Sequence, residues 1–215
     1  VAEHTDRVIT VGGSPGYRGT RQPDLLFPWG LQVPLPETAP QVETEEEFRF
    51  GYLARVSEKT VMAQHDASAY IATHLRYPLI YGPRQLVPME WRVMRRIMDG
   101  RTFIVLPDDG HILFSRGYAV NMAHAVLLAV DKPDASGGKI YNAADVHQFT
   151  LGQWAEVIAH AMGAELTCVG IPGDYAYPAR ELVIGRTEMH HQLFDIHAIR
   201  ADLGYTDIVQ PSEGL

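Results

Sequence analysis

The glycines Gly13, Gly16 and Gly19 follow a β-branched run with the GxxGxxG spacing that lets a backbone approach a phosphate. That chemistry also needs a helix opening at the glycines, so that its N-terminus faces the pyrophosphate, and an acid after a second strand. Here the glycines lead into a proline-rich stretch, and the nearest acid, Glu37, lies between Pro36 and Pro40. The spacing therefore reads as a tight turn. Ten histidines raise the question of a metal. His190 and His191 are adjacent, so they diverge on any regular element. His191 and Asp195 have i,i+4 spacing with His197 close by, but no HExxH-type pair occurs and no metal is expected. Arg92, Arg95, Arg96 and Arg101 lie on or just after one expected helix and read as a solvated face. Trp29 and Trp91 could line a cleft, whereas Trp154 has core spacing.

These groups need elements to hold them. Arg7–Val11 reads as a buried strand. Residues 19–42 carry Pro23, Pro28, Pro34, Pro36 and Pro40, a density that leaves only a long surface loop. Glu43–His65 reads as a helix with Glu45, Glu46 and Glu47 at its positive end. Phe50, Leu53, Ser57 and Val61 share one stripe of it. Ala69–Leu75 is a strand running into a Pro/Gly-forced loop over 76–83. Pro88–Asp99 is a helix stopped by Gly100. Thr102–Leu106 is a strand, Ala119–Asp131 a buried helix, and Lys139–Tyr141 a short strand. Thr150 and Gln153 have capping-box spacing at a helix that reaches about Met162. Leu166–Ile171 is a strand and His197–Leu203 a short helix. Strands alternating with helices predict an α/β fold with a largely parallel sheet.

Composition narrows the function classes. The chain is 46% hydrophobic and 20% charged, enough for a core. A formal charge of -8 argues against nucleic acid. No apolar run is long enough to span a membrane, and no signal pattern opens the sequence. The single cysteine, Cys168, fits a reducing cytoplasm.

Six segments, in order, resemble one family. Val8-Ile-Thr-Val-Gly-Gly-Ser14-Pro-Gly-Tyr17 is similar to a middle strand ending in a Ser-rich turn and Tyr. Glu37-Thr-Ala-Pro40 is similar to a Glu-xx-Pro loop. Arg76-Tyr-Pro-Leu-Ile-Tyr-Gly-Pro-Arg84, Arg116-Gly-Tyr-Ala-Val-Asn-Met-Ala123, Tyr141-Asn142 with Thr150, and Asp195…Arg200…Leu203-Gly-Tyr205 complete the set. Together they resemble the later portion of the NAD(P)-dependent epimerase/dehydratase family, the extended short-chain dehydrogenases/reductases. The resemblance implies an incomplete Rossmann-type parallel sheet with a small α/β substrate domain at the C-terminal end. Residues 1–83, with contributions from about 102–145, would form the later half of the NAD(P)-binding domain. Residues 84–215 would be mainly substrate-binding. The glycine-rich phosphate loop would lie upstream, so this chain is expected to be a fragment, inactive and weak for cofactor by itself.

The implied reaction is reversible hydride transfer with NAD or NADP at a hydroxyl- or carbonyl-bearing small molecule. The family uses a Tyr-xxx-Lys pair, one helical turn apart, to exchange the proton. Anchoring the helix on Glu58 puts Phe50 in the Tyr slot and Ala54 in the Lys slot. Catalysis would then use Tyr52 after a register shift, or another phenol such as Tyr17 or Tyr81. Ser14 would orient the substrate oxygen, its alternative being a local turn hydroxyl. Tyr77, Pro78 and Leu79 would flank the nicotinamide. Leu79 stands where sugar-nucleotide enzymes often carry Asn, which weakens a nucleotide-sugar substrate. Arg84 and Arg116 would hold substrate phosphates or carboxylates, their alternative being surface ion pairs. The rival expectation is a catalytically degenerate member serving as a ligand-binding or scaffold protein. The partners considered are a small-molecule substrate and a second copy of the chain.

Overall fold

The computed structural model describes residues 3–85, 87–183 and 190–215. β1 (Arg7–Gly13) is the β-branched run, and it ends in a 3-10 turn over Ser14–Gly16 rather than in an α-helix. After the proline-rich loop comes α1 (Glu45–Asp66). Its N-cap Thr44 accepts from the Glu47 amide, and three glutamates face the positive end of the dipole. β2 (Ile71–Tyr77) and β3 (Leu79–Tyr81) follow, then α2 (Met89–Met98), beyond which Gly100 turns the chain at φ 73°. β4 (Phe103–Pro107) precedes β5 (Arg116–Tyr118), which runs directly into α3 (Ala119–Asp131). The one-turn α4 (Pro133–Ser136) leads to β6 (Lys139–Asn142). α5 (Leu151–Ala161) opens on the reciprocal Thr150/Gln153 capping box. β7 (Thr167–Ile171) and α6 (His197–Leu203) complete the order, the latter stopped by Gly204 in the left-handed region.

All strand pairing between these elements is parallel. β1, β2 and β6 form one sheet in the order β1-β2-β6, with Arg7 opposite Ile71 and Gly13 opposite Tyr77. Two smaller pairs, β3 with β5 and β4 with β7, stand apart from it. The α/β class with an incomplete Rossmann-like sheet is therefore observed. One core packs β2, β6, α3 and α6 around Leu75, Met122, Tyr141 and Ile199. A second packs β4, α2 and α5 around Leu106, Val93, Trp154 and Ile158. A third, smaller cluster of Tyr17, Leu35, Ala144 and Phe194 pins the proline-rich loop. Among the described residues, no helix is long and apolar enough to cross a membrane.

Three local expectations change. The Pro/Gly stretch over 76–83 is not all loop: its apolar centre Leu79–Tyr81 finds a parallel partner in Arg116–Tyr118. A propensity reading could not see that partner, 37 residues along in register. The apolar stripe of α1 does not face the core. Phe50 is 66% exposed and Leu53 47%, while Gly51 and Glu58 are buried. The helix docks through a close backbone approach and an ion pair, so periodicity pointed to the wrong face. α3 is half-buried rather than enclosed: Met122, Ala125 and Ala129 are inside, but Val120, Leu127 and Val130 are exposed.

Candidate functional site

Two contacts fix how α1 lies on the sheet. A Cβ built on Gly51 would stand 2.1 Å from the Pro15 carbonyl oxygen, so only glycine admits this approach. About two turns later, Glu58 meets Arg76 of β2. Arg76 Nε donates to Oε2 and Nη2 to Oε1, each at 2.7 Å. Gln41 Nε2 also donates to Oε1, at 2.9 Å. Arg76 Nη1 donates to the Tyr17 hydroxyl and to the Glu37 carbonyl, each at 2.7 Å. Burial alone would push the Glu58 carboxyl up; the Arg76 bonds and charge more than offset this and hold it below its ordinary value. Against burial, the same bonds push Arg76 higher.

With α1 held this way, a cavity of about 670 Å3 opens at the C-terminal ends of β1 and β2. Gly12, Gly13 and Ser14 form one wall, Phe50 and Ala54 another, and Tyr77, Pro78 and Leu79 a third. Phe50 and Ala54 thus face the space where a phenol and an ammonium were expected. Tyr52, half-buried, does not line it, and Gly51 with Glu58 leaves no register shift to bring it there. Tyr17 and Tyr81 are each 1% exposed. The Tyr17 hydroxyl donates to Asn142 Oδ1 at 2.6 Å, and that of Tyr81 to Asp145 Oδ2 at 2.8 Å. Burial raises both phenols, and Asp145 raises Tyr81 further, so neither is available to a ligand. Tyr77 does line the cavity, but its hydroxyl donates to the Met122 carbonyl at 2.6 Å, and burial pushes it up to about 12.

His74 also lines this cavity and went unnoticed in the sequence. It is 3% exposed, with Nδ1 2.8 Å from Thr10 Oγ1 and Nε2 3.3 Å from Glu58 Oε2. Burial pushes its pKa down, with Glu58 pulling back and Arg76 adding to the lowering. The ring is therefore neutral at pH 7, its Nε2–H directed at Glu58 and its Nδ1 accepting from Thr10. The available signal was His74 and Arg76, two ionisable residues two positions apart and so on one face of a strand.

A second cavity, of about 360 Å3, adjoins the first across Pro78, Leu79, Ile80 and Val87. Both predicted arginines line it. Arg84 is exposed and holds a left-handed backbone, φ 66°, which is strained for a residue with a Cβ. Arg116 is 5% exposed and stacks on Trp154, its guanidinium carbon 4.9 Å from the ring centroid. Among the described residues, no ion pair is formed by either arginine. Trp29 and Trp91 line neither cavity: Trp29 borders a groove with His190 and His191, and Trp91 one with Arg92, Arg95 and Arg96. Trp154 is core, as its spacing predicts. Among the described residues no cluster could hold a metal ion.

Parallel strands with a cavity beyond their carboxyl ends define an open α/β protein of the nucleotide-binding type. The sequence profile of the NAD dependent epimerase/dehydratase family matches residues 26–144, more than half the chain, and the chain belongs to that family. A search of curated proteins returns no match. Among solved structures, the chain is similar to UDP-glucose 4-epimerase of Thermotoga maritima with UDP-glucose. The TM-score is 0.72 at 19% identity, covering 98% of this chain and 61% of that one. It is also similar to UDP-glucuronic acid 4-epimerase of Bacillus cereus, solved with UDP-glucuronic acid and NAD. There the TM-score is 0.71 at 16% identity, covering 99% and 60%. UDP-N-acetylglucosamine 4-epimerase of Methanobrevibacter ruminantium gives 0.69 at 17%, covering 97% and 60%. The likeness shows the fold, and the chain spans about three fifths of the length of these proteins.

Proposed function

We propose that this chain is the later portion of an NAD(P)-dependent oxidoreductase acting on a small molecule that bears a hydroxyl or carbonyl group. The observation that carries the reading is the 670 Å3 cavity at the carboxyl ends of β1 and β2, the place where such sheets hold their ligands. Its walls fit the nicotinamide end of a dinucleotide: Gly12 and Gly13 have no side chains to obstruct a ring, and Tyr77, Pro78 and Leu79 flank the opening. When bound, the cofactor supplies the hydride acceptor or donor. Ser14 orients the substrate oxygen from the end of β1. The phosphate cradle is not among these residues, since Gly13–Gly19 passes through a three-residue 3-10 turn. The outer edge of β1 has no strand partner among the described residues, which fits a sheet that continues with further strands on that side.

Calorimetry on the longer protein tests this, followed by the absorbance of reduced nicotinamide as hydroxyl- and carbonyl-bearing compounds are added. NAD(H) or NADP(H) is expected to bind, and Ser14→Ala to slow turnover by about one to two orders of magnitude. Failure of both cofactors to bind overturns the reading. For the 215-residue chain alone, weak or no binding is expected; micromolar affinity there would show that the cradle is not elsewhere.

A second reading rests on Phe50 and Ala54. With these in the cavity wall, the same cleft would bind a ligand without turning it over. Cofactor that binds but never changes redox state across a broad substrate panel would favour it.

A further inference from the structure

We propose that the tip of the proline-rich loop, residues 25–33, docks the protein on an uncharged lipid surface. The proposal is independent of the oxidoreductase reading, since the tip lines neither of the two cavities described above. Three observations lead here. First, the loop carries two apolar rows that point opposite ways. Leu35 is buried with Tyr17 and Phe194, and Leu31 packs against the same cluster. Leu26 and Leu31 close on Gly19, where a Cβ would clash with Leu26. This inner row seats the loop on the body of the protein. The outer row supports no such packing: Leu25 and Val33 are exposed, Trp29 is 56% exposed and Phe27 100%. Four large apolar side chains within nine residues form a patch rather than a scatter.

Second, the outer row is held in place before anything binds. The Leu26 and Gly30 amides donate to the Pro23 carbonyl at 3.2 and 3.1 Å, folding the tip back on its base. The Leu35 amide donates to the Leu193 carbonyl at 2.6 Å, and the Asp195 amide to the Leu35 carbonyl at 2.9 Å. Trp29 meets the His190 ring edge-on, with centroids 5.9 Å apart. A loop fixed in this way loses little freedom on docking.

Third, shape and charge select the partner. The Phe27 ring stands clear of the chain at the apex of the loop. A protruding apolar side chain is covered by a medium that closes around it, whereas a protein would have to offer a matching pocket. Residues 25–36 carry no ionisable side chain, and no lysine or arginine occurs between Arg21 and Arg49. The groove beside Trp29 brings Asp108 and, among the described residues, no lysine or arginine. Attraction to anionic lipid needs such cations, and the chain as a whole carries a formal charge of -8. The complementary surface is therefore a zwitterionic headgroup layer, the depth at which tryptophan rings settle.

The 215-residue chain is floated with vesicles of phosphatidylcholine, and its tryptophan emission is followed. Flotation and a blue shift are expected. Replacing about a third of the lipid by phosphatidylglycerol should weaken binding several-fold at low salt. Phe27→Ser, at a position that touches nothing, should fold normally and weaken flotation by at least about tenfold. Trp29→Phe keeps an apolar outer row, so it should still float but lose most of the blue shift. Absence of flotation, or tighter binding to the anionic vesicles, overturns the proposal. So does flotation that ignores residue 27, since an apolar face elsewhere would then be the one that binds. Self-association in sedimentation that Phe27→Ser abolishes would assign the tip to a second copy of the chain and overturn the lipid assignment.

Discussion

Arg76 grips Glu58 with two nitrogens, Nε and Nη2, each 2.7 Å from a different carboxylate oxygen, and both side chains are 6% exposed. This pair decides which face of α1 meets the sheet, and so which residues of α1 meet the cavity. Removing one member leaves a buried charge uncompensated. Glu58→Ala is expected to lower the unfolding free energy by about 3–5 kcal/mol in a urea titration. A loss under about 1 kcal/mol would show that the pair does not hold the helix.

The same cluster sets an acid limit on stability. Glu58 is held below its ordinary value, so its contribution is present above the unfolded carboxyl pKa and lost as pH falls through the folded one. His74 is also lowered, so the unfolded chain takes up its proton first and stability falls as pH drops below about 6.5. Both signs agree: stability rises with pH through the acid range. Melting temperature against pH should show two descending steps on acidification. His74→Leu should flatten the upper step and leave the lower; an unchanged upper step would assign it to another histidine.

Gly51→Ala isolates the backbone approach. Helix propensity alone predicts a gain of about 1 kcal/mol. The added methyl would meet the Pro15 carbonyl at 2.1 Å, Phe48 at 2.8 Å and Val42 at 2.9 Å. The clash wins, and a net loss of about 1–3 kcal/mol is expected in chemical denaturation. A stabilised variant would mean that α1 can lift off the turn over Ser14–Gly16.

Much of the fold was legible because local signals agreed with the tertiary outcome. The β-branched run of β1, the glycine after α2 and the Thr150/Gln153 box each state their structure within a few residues. Reading Gly13–Gly19 as a turn held for the same reason, since no helix-forming sequence follows it. What could not be read depends on partners far along the chain. β3 exists only because β5 lies beside it. The inward face of α1 is set by Arg76 and Pro15, not by its own apolar spacing. The site shows the same division. Glu58 could be chosen as the anchor, and the anchor places Phe50 and Ala54. His74 stayed hidden because its neighbours in space, Thr10 and Glu58, are remote in sequence.

Phe50 and Ala54 pose the question of where the proton goes, and restoring the pair answers it. Both lie on the cavity wall one helical turn apart, so Phe50→Tyr with Ala54→Lys would put a phenol and an ammonium side by side. Phe50 is 66% exposed, so the phenol of Phe50→Tyr alone should titrate near the ordinary tyrosine value of about 10. Adding Ala54→Lys favours the phenolate and should lower that titration, read from the ultraviolet absorbance of the phenolate against pH. This readout needs no substrate and shows whether the two side chains meet. In the longer protein, cofactor turnover should then rise by at least about tenfold in the double variant, since a positioned proton donor contributes about two to four orders of magnitude where one is missing. Tyr52→Phe, off the cavity, should leave turnover unchanged. If the wild-type protein already matches the double variant, a group other than a residue-50 phenol exchanges the proton, and the reading of a cleft that binds without turnover is eliminated.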